Sequence, residues 1–247
     1  GPVFLAKVFI TYKGTLNGAL TIPSTATAIA AKALANRGDI TSVVIPNSVR
    51  YIADNMLTGN TGVSSVTLPF LGESPEATDT AFIGYFYGAQ TERSNGTAVS
   101  KALKKVILTD VTTIFPGAFN GCTYITSVTI PETVTSIGSE SFANCTALTT
   151  IYYNAVDATV AIDAFSGCGK ISTVDFGDNV EVIPTYLCTS NYALKKIEIP
   201  AAVRRIEARA FAGCYNATEL TFDAVNCTSI AADAFNYCHK LSTVALG

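Results

Sequence analysis

Between Ile125 and Lys240 the chain repeats itself about every 23 residues, and a fixed period of this length leaves few folds open. Aligned on their first residue, the units begin at Ile40, Val63, Leu103, Ile125, Leu148, Ile171, Leu194 and Ala217, with a further start at Leu241. One such unit cannot bury its apolar side alone, so neighbours must stack and share a core. The expected architecture is therefore a solenoid.

The best-formed unit, ITSVTIPETVTSIGSESFANCTA from Ile125 to Ala147, sets the columns. One contains Ile29, Ile52, Ile114, Ile137, Val160, Ile183, Ile206 and Ile230, without a polar member. A second holds Leu34, Leu57, Phe119, Phe142, Phe165, Cys188, Phe211 and Phe235. At the start of each unit, pairs such as Val128 and Ile130 alternate with polar neighbours, the mark of a short strand with one buried face. Proline follows that strand at Pro23, Pro46, Pro131 and Pro200, where the missing amide ends it. A second extended stretch and a small-residue segment such as SFANC complete the unit, the latter expected to wind as a single helical or 3₁₀ turn. Stacked at roughly 4.8 Å, the nine implied strands would build a wall about 40 Å long.

The joint pattern LxxLxLPxxLxxIxxxAFxxC resembles the BspA-like subclass of leucine-rich repeats, from Ala19 to Gly247 apart from one insertion. The resemblance implies an α/β fold: a right-handed leucine-rich-repeat solenoid of about nine coils, with a parallel β-sheet on one face and short strands and helical turns on the other. Residues 1–247 are expected to form one such solenoid, with a cap-like region and degenerate first coil over 1–39, an insertion over 69–102 and regular coils over 103–247. The unit at Ile171 departs from the pattern, with Leu187 and Cys188 for Ala-Phe and Asn191 for the column Cys. Arg37 and Asn60 hold that last slot in the first two coils, where capping is expected.

Composition narrows the function. With 49% hydrophobic and 14% charged residues over 247 positions, the chain can bury a long core. A net charge of −3 without basic clusters argues against nucleic acid as the main partner. No apolar run reaches the length needed to span a bilayer, and no segment reads as a signal peptide, so a leader is expected to have been removed. Cys122, Cys145, Cys168, Cys214 and Cys238 each stand three residues before the next coil, and read as free thiols packing in a core column, although rung spacing alone permits bridges. The single histidine, His239, and the absence of a CxxC pair argue against a metal, and no cofactor motif occurs. No nucleophile motif accompanies His239, and the acids Asp163, Asp175, Glu198, Glu219 and Asp233 lie on different coils, so no catalytic residue is assigned.

Two regions are candidates for partner binding. Alternation places Tyr152 outward on the main sheet, flanked by Ile107, Asp175 and Glu198, with Lys196 and Glu219 on the same face. An aromatic within a polar rim is a frequent anchor in protein recognition, whereas solvation alone explains the Ser and Thr around it. The long coil from Val63 to Ala102 carries about 17 extra residues and gathers Phe82, Tyr85, Phe86 and Tyr87 between glycines, either folded down onto the solenoid or protruding toward a partner. The resemblance implies a non-enzymatic module on the cell surface or secreted, adhering to protein or glycan of host or neighbouring cells. The alternative is a structural spacer that holds another domain away from the envelope.

Overall fold

The computed structural model describes residues 1–246 and shows the chain wound into stacked coils. Among the described residues ten main-sheet strands run parallel, from Gly18–Thr21 through Ser127–Ile130 to Thr243–Leu246. Ser127 lies opposite Thr150, and Thr150 opposite Thr173, so in these coils the register advances by the sequence period and equivalent positions face one another. The count exceeds the nine expected because Gly18–Thr21 adds a strand ahead of the first clear repeat.

The inward columns fall where the apolar pattern puts them. Phe9, Ile29 and Ile52 pair in one short sheet, Ile114, Ile137 and Val160 in another, and Ile183, Ile206 and Ile230 in a third. All are buried except Ile230, which is 49% exposed on the outermost of these rungs. In the second column the rings of Phe119, Phe142 and Phe165 stack at 4.8 and 4.9 Å, and Phe211 stacks on Phe235 at 5.2 Å. The two columns belong to one continuous apolar cluster that runs the length of the stack. Each proline carbonyl of Pro23, Pro46, Pro131 and Pro200 accepts the amide three residues on, closing the turn after the strand.

The third face differs from the expectation of a helical turn. It is a string of tight turns in which alternate amides leave the coil: Phe142 donates to Ala164 O and Asn144 to Ser166 O of the next coil, while Ala143 and Cys145 bond locally to Glu140 O and Phe142 O. This zigzag requires left-handed backbone at every fourth residue, as at Glu140 (φ 52°) and Asn144 (φ 60°). Asn or Gly therefore precedes the column cysteine in most units, since these residues adopt that region at least cost. The cysteines are free, and their thiols donate across coils, Cys145 to Phe119 O at 3.2 Å and Cys168 to Phe142 O at 3.0 Å. Asn60 does the same work in the thiol's slot, donating to Leu34 O at 2.6 Å. Burial pushes the Cys122 thiol up to about 12, so it stays protonated and inert.

The first coil is covered by an antiparallel hairpin, Pro2–Leu5 with Val8–Tyr12, whose second strand joins Ala28–Ile29. Arg37 fastens it by donating to Tyr12 O and Gly14 O while paired with Asp39.

One rung is broken. The main sheet divides into seven strands ending at Thr173–Phe176 and three beginning at Lys196–Ile199. The second sheet divides between Thr159–Val160 and Val182–Ile183. The coil of residues 171–193 thus lends its main strand to the N-terminal block and its short strand to the C-terminal one. Its sequence explains the break. Gly138, Ala161, Glu207 and Ala231 each donate their amide to the isoleucine carbonyl of the preceding coil, but the equivalent residue here is Pro184, which has no amide. Tyr153 and Phe176, packed edge to face at 5.8 Å, occupy the interior slot filled by Leu108 and Ile130 in earlier coils, so the interior beside the break carries larger rings than elsewhere.

Candidate functional site

The outward face of the main sheet presents Lys105, Thr173 and Asp175 exposed, with Ile107, Ser127, Thr129 and Thr150 half-buried among them. Tyr152 stands between Thr129 and Asp175 and is 39% exposed. Two expectations about its surroundings change. Thr129 separates it from Ile107, and Glu198 lies beyond the broken rung, on the three-stranded sheet. Alternation within a strand gives the outward residues, but it carries no information on whether successive rungs close.

Beyond the break the charges satisfy one another. Lys196 Nζ lies 2.6 Å from Glu198 Oε1 on the same strand, and Glu219 is its cross-strand partner. The hydrogen bond that Lys196 donates to Glu198 raises the Lys196 pKa, with both groups in water. Asp163 accepts from Ser139 at 2.7 Å and Asp233 pairs with Arg209 at 3.2 Å. Among the described residues no three His, Cys, Asp or Glu side chains converge as a metal site would need.

Phe82, Tyr85 and Tyr87 are not a surface. They are 3%, 9% and 6% exposed, within the core cluster. The insertion replaces a rung on the turn face: a 3₁₀ segment, Ile83–Tyr87, takes the Asn55 and Leu57 amides on its Tyr85 and Phe86 carbonyls and donates from Ile83 to Ala118 O. Fully buried Asn95 pins it, accepting from Gly84 N at 2.8 Å and donating to Gly117 O at 3.0 Å and Ala118 O at 3.2 Å. A Cβ on Gly84 would sit 2.5 Å from Asn95 Oδ1, so only glycine fits there. The aromatic run is apolar because it plugs the stack, and burial pushes the Tyr85 phenol up to about 12.

A different aromatic group is exposed. Tyr192, Tyr215 and Tyr237, 49%, 41% and 54% exposed, line the corner of the last three coils beside His239. Tyr192 stacks on Tyr215 at 5.4 Å and 9°, and Tyr215 lies 6.1 Å from the His239 ring. The position immediately after the column cysteine, occupied by Tyr192, Tyr215 and His239, carries this ladder, and Tyr237 leans in from the residue before it. The column is readable in the sequence, but attention to inward positions passes over it.

The geometry is that of a repeat whose recurrent inward columns build the core. A BspA type leucine rich repeat region, in six copies, matches residues 12–83 and 100–246. The chain belongs to this family. Among solved structures it is similar to a leucine rich cell surface protein from Faecalibacterium prausnitzii, at 16% identity and a TM-score of 0.43, covering 97% of this chain and 90% of that one. It is also similar to a leucine-rich repeat protein from Bacteroides ovatus, at 15% identity and a TM-score of 0.36, covering 96% and 88%. A third is the pneumococcal vaccine antigen PcpA, at 12% identity and a TM-score of 0.39, covering 99% and 84%. No relative is found among curated proteins. In this BspA-type chain no helix among the described residues is long and apolar enough to cross a membrane.

Proposed function

We propose that this chain is a non-enzymatic recognition module, displayed on or released from a bacterial cell, which adheres to protein or glycan of host or neighbouring cells. The observation that carries the reading is the ladder of Tyr192, Tyr215, Tyr237 and His239, stacked at the surface where the fold has no use for them. Exposed, mutually braced aromatics lose little side-chain entropy on binding and offer both a flat apolar face and a hydrogen-bonding rim, which suits a protein epitope or the C–H face of a sugar ring. Tyr152 with Asp175 supplies a second, smaller patch on the sheet. Family membership supports the surface location.

Pull-down and array binding against mucosal proteins and glycans tests this. Tyr215→Ala with Tyr237→Ala should lower affinity for the captured ligand at least tenfold and leave thermal unfolding unchanged. Tyr152→Ala with Glu198→Ala should have the smaller effect, because the two residues lie on separate sheets. Unaltered affinity in both double variants contradicts the proposal.

A further inference from the structure

The broken rung leaves a cleft on the turn face, between residues 162–169 of one coil and 186–192 of the next, with a volume of about 420 Å³. Pockets that hold small ligands start at about 300 Å³. Its lips are unlike any other pair of coils. Elsewhere the turn-face amides cross the gap, as Phe142 to Ala164 O and Asn144 to Ser166 O on one side, and Cys188 to Ala210 O and Ser190 to Ala212 O on the other. The corresponding amides of Phe165 and Gly167 make no such bond, and the Leu187 and Thr189 carbonyls that would receive them accept none. One lip therefore offers two donors spaced two residues apart, and the facing lip two acceptors with the same spacing.

Asn191 points to the same conclusion independently. It is 5% exposed, lines the cleft, and its Nδ2 has no partner. Asn60, in the same slot of a closed rung, reaches Leu34 O; the matching acceptor for Asn191 is Phe165 O, across the gap. An unpaired buried amide costs about 1–3 kcal/mol, a cost that a carbonyl brought in by a ligand would remove. The ring ladder of Phe119, Phe142 and Phe165 also ends here, because Cys188 occupies the next ring position, and Phe165 is left half-buried. Among the described residues no charged side chain lines the cleft, which disfavours phosphate or any ionic ligand.

We infer that this cleft binds a short, uncharged peptide in extended conformation, inserted as an extra rung between the two coils with a planar side chain against Phe165. Its backbone accepts from the Phe165 and Gly167 amides and donates to the Leu187 and Thr189 carbonyls, as an added strand does at an open edge. Three extended residues, about 10 Å long, satisfy this spacing. The site is separate from the aromatic ladder, although Tyr192 borders both.

Titration of the intact, ¹⁵N-labelled protein with N-acetyl-Ala-Phe-Ala-N-methylamide tests it. Saturable shifts are expected at the Phe165 and Gly167 amides and the Asn191 side-chain amide, with affinity about 2- to 10-fold above that of the all-alanine peptide, the range an aromatic pair supports. A peptide methylated on its central backbone nitrogen should lose binding. Asn191→Leu, which removes the unpaired amide, should leave the protein at least as stable and weaken the peptide tenfold or more. Tyr215→Ala should leave the peptide shifts intact, which separates this site from the proposed adhesive ladder. Absence of shifts at millimolar peptide, unchanged binding in Asn191→Leu, or saturation by a neutral disaccharide and not by peptide would each overturn the inference.

Discussion

The coils of residues 103–170 and the coil of residues 171–193 have nearly the same length and backbone path, yet the first group bonds to its neighbours on every face and the second only on some. In the closed coils the bonding groups include an amide at Gly138 and Ala161, a thiol at Cys145 and Cys168, and a hydroxyl at Thr126 and Thr149, each donating to the previous coil. In the joint those roles fall to Pro184 and Asn191, and the next hydroxyl slot to Lys195. The period sets how far the chain travels per turn, and the residues at a few ladder positions decide whether adjacent turns bond.

This contrast can be broken or sharpened by substitution. The largest difference should appear in the ring column. Phe142→Ala, stacked on both sides, should cost about 3–5 kcal/mol in urea unfolding, and Phe165→Ala, open on one side, about half as much. Equal costs would mean that the joint is closed. A smaller difference is expected from moving the proline. Ala161→Pro removes the amide that bonds Ile137 O and should cost about 1–3 kcal/mol, transplanting the defect, while Pro184→Ala should shift stability by less than about 1 kcal/mol because its acceptor is out of register. The smallest concerns the two asparagines. Asn60→Ala deletes two hydrogen bonds and should cost about 1–2 kcal/mol, whereas Asn191→Ala should be near neutral or stabilising, as judged by denaturation midpoints.

Much of this was legible before any coordinates. Apolar columns spaced at a fixed period report burial directly, because a residue at Ile137 or Phe142 has no exposed option once coils stack. The deviant unit was legible too, through Leu187, Cys188 and Asn191, but its consequence was not: three altered residues signal a departure, and only the pairing shows that the sheet parts there. The aromatic run Phe82 to Tyr87 was ambiguous in principle, since packed and protruding loops share a composition and the deciding contact, Asn95 to Gly84, joins residues with no pattern between them. The Tyr192 ladder was missed because its column is outward, where sequence periodicity predicts only solvation. The turn-face geometry hid in the Asn or Gly before most of the column cysteines, a backbone requirement written in small residues.

The central claim, a continuous stack interrupted at a single rung, is tested most directly by residue-resolved amide hydrogen exchange on the free protein. Phe119, Phe142, Asn144, Cys188 and Ser190, whose amides cross between coils, should be strongly protected, and Phe165 and Gly167 should exchange orders of magnitude faster. Protection at Phe165 and Gly167 equal to that at Phe142 and Asn144 would contradict the account.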